Sequence, residues 1–425
     1  MTPAILAFVV LLLIGAPVAI VMAMSGLVGG FMLGGERMLG IIADRMFSGV
    51  SGFLLIAVPY FIFTAELMNQ GGLTQKLIAF NNALFGRVRG ALSHVNISVS
   101  VFFAGLTGAA ITDTVAIGKI MIPEMKKQGY DAEYAAAITA CSSIIGPIIP
   151  PSVVMVVYAT LLRDISVIDL FAGGIIPGLL MAGALLLVSF FLAWKRGYPK
   201  QAPTPFKLAV VAFLVALPAM VVPLIILGGI LSGLTTITEA SGFAAVYAIV
   251  IGVVFYRNLT WQKIWQALVV TVRFSGVVFF LLATSAVLGW FVTRSGIARE
   301  AAGLITTFSD SAFLQLMLVC VLLILIGTVM DVLPALVVVA PVLVPAMIQL
   351  GFDPLHFAIL MIVVLNVSNV TPPVGMTLMT AARIANVPYE RAIIASLPFY
   401  TAYLAVIVLL AAFPALSTWI PSLLG

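Results

Sequence analysis

Stretches of about twenty mainly apolar residues, the length that crosses a bilayer as a helix, follow one another along this chain with few charges to interrupt them. Clear candidates lie at roughly 50–70, 134–162, 171–194, 207–230, 237–256, 268–290, 355–382 and 393–420. Two more apolar stretches, about 94–123 and 310–350, are broken by small and polar residues. Of the 425 residues, 63% are hydrophobic and 8% charged, against about 25% charged in an average soluble domain. One soluble core could not hide that much apolar surface. A cytosolic enzyme, a nucleic-acid binder and a disordered chain are excluded. The expected fold class is an all-α polytopic membrane protein whose medium is the lipid bilayer. The net charge of +5 points to no nucleic-acid partner, because the basic residues stand singly between apolar runs, where they mark topology.

Few residues here could support chemistry. Cys141 and Cys320 lie inside apolar runs and read as small packed hydrophobes. His94 and His356 are isolated, and no His/Cys/Asp/Glu cluster has metal-ligand spacing. No phosphate loop or nucleophile elbow is present, so neither an enzyme nor a resident cofactor is expected. Met1 to Ala7 carry no Lys or Arg, so the charged region of a signal peptide is missing. The run from Pro3 to Leu33 is instead expected to form two short helices hinged near Gly15–Pro17. Charge-bearing segments at 36–49 and 257–267 read as helices lying along the membrane surface.

Charge bias sets the orientation. Lys76, Arg87 and Arg89 precede the 94–123 stretch, and Lys126 and Lys127 follow it. The positive-inside rule places both flanks in the cytoplasm. That stretch should therefore enter and return as a re-entrant hairpin, turning near Gly105-Leu106-Thr107-Gly108. Carried through the chain, this topology puts fifteen of the twenty basic residues inside. Arg37, Arg45, Arg163, Arg294 and Arg299 remain outside. The 310–350 stretch must then be a hairpin entering from the outer face, opposed to the first.

The two halves match. Asp113 and Asp331 are 218 residues apart, Gly72 and Gly296 are 224, Pro150 and Pro372 are 222, and Pro177 and Pro398 are 221. The halves begin from opposite sides, so the expected organisation is an inverted repeat: residues 1–195, a cytoplasmic linker at 196–206, and residues 207–425. That is the architecture of secondary transporters with sites at broken helices near the midplane.

The breaks carry the sharpest local signal. Gly146-Pro147-Ile148-Ile149-Pro150-Pro151-Ser152 and Asn366-Val367-Ser368-Asn369-Val370-Thr371-Pro372-Pro373-Val374-Gly375 each lie mid-way along a would-be membrane helix. Proline removes a donor and forces the preceding residue out of helical geometry. The carbonyls around Ile149 and Thr371 thereby lose helical partners, at a cost of several kcal/mol each in hydrocarbon. A hard cation such as sodium, which takes oxygen ligands, can satisfy them. A lone Pro-Pro would read as a packed kink; two at matching positions, each after a glycine-rich hairpin, favour an ion site. Asp113 and Asp331 in the hairpins could attract an ion or contact substrate, or could cap a helix or pair within the hairpin. Glu66 and Glu239, near span ends, read as interfacial or structural.

These breaks, together with Phe103 to Asp113 (FAGLTGAAITD) and Gly327-Thr328-Val329-Met330-Asp331, are similar to the large membrane subunit of a TRAP (tripartite ATP-independent periplasmic) transporter, over essentially the whole length. The resemblance implies a sodium-driven importer in a bacterial inner membrane. It implies two partners, a small membrane subunit and a periplasmic substrate-binding protein. It also implies an elevator mechanism and an organic acid as cargo, of the carboxylate, sulfonate, sugar-acid or sialic acid type. One implied sodium site uses Ala104, Thr107, Gly146, Ile149 and Pro151; a second uses Gly327, Ser368, Thr371 and Val374, largely through carbonyls. The chain departs from the family where serines are common in the first hairpin (here Ala104, Thr107 and Ala109) and where glycine is common at Ser368. A carbonyl ligand survives such changes; a hydroxyl ligand at Ala104 or Ala109 does not.

An anionic cargo fits the physics, because hairpin tips and half-helix N-termini direct free N–H groups toward the midplane. Asn96, Thr107, Gly108, Ser142, Ser143, Asn366 and Thr377 are the expected contacts. The outer charges Glu36, Arg37, Arg163, Asp164, Arg294 and Arg299 are expected to meet the binding protein. A stand-alone sodium/carboxylate symporter of the same architecture is the alternative.

Overall fold

The computed structural model describes residues 2–35, 38–107, 109–162, 165–200 and 204–424. Gly108 and the four outer charges Glu36, Arg37, Arg163 and Asp164 lie outside the described residues, as does the side chain of Thr107. Among the described residues there are twenty α-helices and no strand.

In the first half, α1 (Thr2–Leu13) and α2 (Val18–Gly34) part at Gly15, φ +83°, just before Pro17, so the expected hinge is present. Helix α3 (Met38–Val50) packs back on α2. Helices α4 (Ala57–Gln70) and α5 (Leu73–Phe85) meet at Gly72, which has a left-handed φ of +77°. Two helices, α6 (Ala91–Thr107) and α7 (Ala110–Lys127), fill the first awkward stretch. The 134–162 span is indeed broken, into α8 (Ala132–Ser143) and α9 (Val153–Leu161), and α10 (Val167–Arg196) follows.

The second half contains α11 (Phe206–Leu231), α12 (Ile237–Val250), α13 (Trp261–Ser295) and α14 (Ile297–Phe308). Gly296 between the last two has φ +78°, matching Gly72. Then come α15 (Ala312–Gly327), α16 (Val332–Gln349), the broken pair α17 (Pro354–Ser368) and α18 (Met376–Ala385), and finally α19 (Tyr389–Ala412) and α20 (Ala415–Leu424).

Seven segments are long and apolar enough to cross a membrane: Phe53–Gln70, α10, α11, Ile237–Phe255, α13, α16 and α19. Helices α14 and α15, joined at a bend of 118°, make an eighth if counted as one span. In α16, 61% of the apolar window is buried, against 22% in α11. Helix α16 is therefore walled by protein, whereas α11 presents most of its surface outward.

Two expectations need correction. Residues 261–267 are not a separate surface helix but the first turns of α13, which runs 35 residues. Thr260 caps its start, and no proline interrupts the helix before Ser295. The 393–420 span is not continuous either. Helix α19 ends at Ala412, where Phe413 turns to φ −128° ahead of Pro414, and α20 restarts at Ala415. Glu239 is structural, as expected. It forms a capping box with Thr236, taking the Thr236 N–H at 2.8 Å while its own N–H reaches the Thr236 hydroxyl at 3.2 Å.

Packing divides the helices into two groups. Helices α2, α3, α4 and α12 gather on or beside the long α13, with α5 and α11 at their edge. The hairpins and broken helices form the other group. Both arms α6 and α7 lie on α8; both arms α15 and α16 lie on α17. The halves then exchange contacts: α9 packs on α16, while α18 packs on α7 and α8. Helix α19 also covers α8, and its Tyr403 hydroxyl donates to the Cys141 carbonyl at 2.8 Å.

At one end of this second group the residues just after α10 are pinned. Arg196 pairs with Asp131 at 2.9 Å, and the Tyr198 hydroxyl donates to the same oxygen at 2.6 Å. The Tyr198 ring packs between Tyr130 and Tyr134, with centroids at 4.4 and 5.0 Å. Burial, and then the Asp131 carboxylate, push the Tyr198 phenol above its ordinary pKa.

Candidate functional site

Both breaks follow from the same chemistry. A Pro-Pro pair cannot supply the N–H groups that a helix needs, so each helix stops short of it, at Ser143 and Ser368, and restarts beyond, at Val153 and Met376. Both Pro-Pro peptides are cis. In the first break, the N–H groups of Ile145 and Gly146 bond back to Ser142 and Ser143, at 3.1 Å each, and the Ile149 N–H reaches Ile145 at 3.0 Å. Ser152 then caps α9: its hydroxyl donates to the Pro147 carbonyl at 2.6 Å and accepts from the Met155 N–H at 3.3 Å. In the second, Asn369, Val370 and Thr371 bond back to Asn366, Val367 and Ser368 at 3.0–3.2 Å. Gly375, φ +49°, turns the chain into α18. A side chain there would meet the Val370 and Thr371 carbonyl oxygens at 3.1 and 3.2 Å.

Each hairpin sends a carboxylate to the break of its own half. Asp113, in the first turn of α7 and fully buried, lies against Gly146, where any side chain would collide with its carboxylate. Asp331 caps α16, accepting the Val332 N–H at 2.8 Å, and takes the Asn369 amide at 3.1 Å. The capping alternative therefore holds for Asp331, with a contact to the second break besides.

Of the second candidate cation set, Gly327, Ser368 and Thr371 are neighbours. Gly327 at the end of α15 abuts the Ser368 side chain so closely that it has no room for a methyl group. The Ser368 hydroxyl gives its proton to Leu365 (2.6 Å), and the Thr371 hydroxyl gives its own to Val367 (2.9 Å). Both oxygens thus present only lone pairs outward, the polarity a cation requires. The Val374 carbonyl takes the Tyr389 hydroxyl at 2.6 Å, and the Val370 carbonyl takes that of Tyr400 at 2.8 Å.

The first set is placed less tightly. Ala104 is buried in the last turn of α6, Gly146 sits on Asp113, and the Ile149 side chain presses on Gly178 of α10. Pro150 and Pro151 are buried, whereas Pro373 is exposed and Thr371, Pro372 and Val374 are half-buried.

The expected substrate contacts separate into two groups. Asn96 and Ser142 are committed to joining α6 to α8. The Asn96 amide donates to Thr139 at 2.7 Å and accepts the Ser142 hydroxyl at 3.0 Å, and Ser100 donates to Ser142 at 2.9 Å. The Ser143 hydroxyl is turned back onto the Thr139 carbonyl at 2.7 Å. All five are fully buried. Asn366 and Thr377 stand at the second break. Thr377 donates its hydroxyl to the Asn369 carbonyl at 2.8 Å; Asn366 donates to Ile362 at 2.8 Å. The side-chain oxygens of Asn366 and Asn369 are buried with no hydrogen-bond partner among the described residues. Asn369 was not among the expected site residues. Its signal was the Asn366-x-x-Asn369 spacing, which sets both amides on one face of the last helical turn.

Comparison with known proteins agrees with this architecture. Residues 5–416 match the sequence model of the family described as "Tripartite ATP-independent periplasmic transporter, DctM component". The sialic acid TRAP transporter large permease protein of Vibrio cholerae is 37% identical over 90% of this chain and 89% of that protein. The isethionate TRAP transporter permease protein of Oleidesulfovibrio alaskensis is 33% identical over 96% of this chain and 64% of that protein. Among solved structures, the YdaH transporter of Alcanivorax borkumensis is similar in fold, with a TM-score of 0.68 at 15% identity over 98% of both chains. With the apolar spans and the paired helix breaks, these matches establish a multi-pass inner-membrane transport protein, and the chain belongs to the DctM family of TRAP transporter large permeases.

Proposed function

We propose that this chain is the transport-carrying subunit of a sodium-coupled importer of an organic acid. It would work with a small membrane subunit and a periplasmic binding protein that delivers the cargo. The observation that carries the reading is the second break. Around this one turn lie two buried amide oxygens without donors among the described residues and two hydroxyls whose protons are already committed, while the Val370 and Val374 carbonyls each keep a second lone pair beside a tyrosine hydroxyl. Such a surface favours a small cation over an anion or water-free packing. We assign the second sodium site to Gly327, Ser368, Thr371 and Val374, and add the Asn366 and Asn369 oxygens as candidates. The first site, around Ala104, Thr107, Gly146, Ile149 and Pro151, rests on the matching break.

The grouping of hairpins and broken helices apart from the α13-centred group supports an elevator reading, with an inverted repeat over 1–195 and 207–425 joined at 196–206. The cargo would be a carboxylate or sulfonate, the acid types named for the two relatives. Its contacts would lie at Thr377, Ser143 and the residue 107–108 tip, with Asn96 and Ser142 positioning α6 against α8. The test is uptake into vesicles containing this chain and its small subunit. With an inward sodium gradient and loaded binding protein, saturable uptake is expected, collapsing without sodium. Robust uptake without binding protein would instead favour the stand-alone symporter.

A further inference from the structure

A cavity of about 590 Å³ opens between α3 and α13 on one side and α9 and α16 on the other. Its α3–α13 wall carries Arg45, Trp290 and Arg294; Thr160, Pro341 and Pro345 line the opposite wall. Gly49 is set so tightly on α13 that a side chain there would meet the Leu282 carbonyl oxygen at 2.9 Å and the Ala286 side chain at 2.7 Å. Arg45 stands one turn earlier on the same face, which directs it along α13 toward Trp290 and Arg294. The Arg294 guanidinium lies over the Trp290 ring, 5.6 Å from its centroid.

Among the described residues neither guanidinium has a carboxylate partner. Among the described residues the ion pairs are Arg196–Asp131 and Arg391–Glu133. Asp44 shares the mouth of the cavity but lies beyond ion-pair distance of both arginines. The two walls touch along the cavity: the Ser285 hydroxyl donates to the Val337 carbonyl of α16 at 3.1 Å, and Gly289 faces Pro341. The space is thus a crevice between the two helix groups, large enough for a small organic ligand.

We propose that this crevice is an anion-loading site, in which Arg45 and Arg294 hold a carboxylate or sulfonate ahead of the midplane site. Guanidinium forks match the planar carboxylate and are seldom left unpaired without a use for their charge. Charge bias in the sequence puts the crevice on the outer face. An anion received there rests on the α13 side and stays clear of the midplane until α9 and α16 shift. That the anion is the cargo rests on the import reading; that the crevice holds an anion does not.

The test uses a thiol placed in the crevice wall. Thr293 is exposed, beside Arg294 on α13, and lines the cavity, while Cys141 and Cys320 are buried. In reconstituted vesicles of the complete transporter, Thr293→Cys is labelled from outside with a negatively and a positively charged methanethiosulfonate. Mass spectrometry of the modified peptide reads the rates. The ratio of anionic to cationic rate should fall about tenfold when Arg45→Gln and Arg294→Gln are added, and millimolar succinate should slow the anionic reagent only with both arginines present. Arg45→Lys with Arg294→Lys should keep most of the ratio, which separates charge loss from misfolding. An unchanged ratio, or a changed ratio without succinate protection, overturns the site. Labelling needs no transport, so a failed uptake assay beside a positive labelling result would sink the import reading alone.

Discussion

The two helix breaks use one backbone device and leave their polar groups in different states. The first break is closed. Pro150 and Pro151 are buried, and on the adjoining turn Asn96, Ser100, Thr139 and Ser142 satisfy one another across α6 and α8. The second is partly open at Thr371–Val374 and leaves the Asn366 and Asn369 oxygens without donors among the described residues. Matching backbone geometry therefore does not mean matching chemistry. A proline pair creates the demand for oxygen-seeking partners, and neighbouring side chains decide whether that demand is met internally or left for a ligand. On this comparison the second break should dominate sodium dependence and the first should dominate rigidity.

The largest expected effect tests how tightly the second site is built. Gly327→Ala drives a methyl group into Ser368, and uptake should drop about tenfold or more, equivalent to at least ~1.4 kcal/mol. Ser368→Gly in the same chain should recover part of the loss, because the obstacle is a side chain. Gly146→Ala should resist such rescue. Its methyl would meet the backbone carbonyl of Ser143 at 3.2 Å as well as Asp113, and a carbonyl cannot be trimmed. Full recovery of Gly146→Ala by Asp113→Ala would erase this distinction between the breaks.

Next in size is Thr371→Val, which keeps shape and removes one lone-pair donor. The half-saturating sodium concentration should rise about tenfold, the worth of one hydrogen-bond-strength contact to a charge. An unaltered sodium titration in vesicles would remove the Thr371 hydroxyl from the site and leave only carbonyls in play. The smallest effect is expected from Asn96→Ala. It leaves Thr139 and Ser142 short of partners and should lower stability by about 1–3 kcal/mol, seen as a lower Tm of the purified transporter. Sodium dependence should stay the same. A shift in sodium affinity larger than that of Thr371→Val would return Asn96 to the ligand sites and break the comparison.

Much of the fold was legible because membrane helices announce themselves by length and because proline and glycine act locally. The hinge at Gly15, the paired turns at Gly72 and Gly296, and both Pro-Pro breaks could be read residue by residue. What escaped was set by neighbours distant in sequence. Nothing near Asn96 indicates that its amide will be consumed by Thr139 and Ser142, more than forty positions away. Asn369 looked like one polar residue among several until its partner Asp331 was placed beside it. The continuity of α13 escapes the sequence for a different reason: Arg257 and Lys263 resemble the charges of a surface helix, but no residue between Lys263 and the 268–290 run stops the helix.

The exchange of helices between halves bears on how the chain is made. Helix α8 is covered by α18 and α19, and α9 by α16, so neither half can bury its broken helix alone. At about 5–20 residues per second, the ribosome needs roughly 13–50 s after finishing α9 to deliver the last of those covers, α19. Throughout that interval α8 and α9, with their bent backbone and polar seam, stand unroofed in the bilayer. Biogenesis rather than the finished structure is then the stage at which the first half is most exposed to membrane proteases. A chain truncated before α16 should be degraded rather than accumulate as a half-transporter.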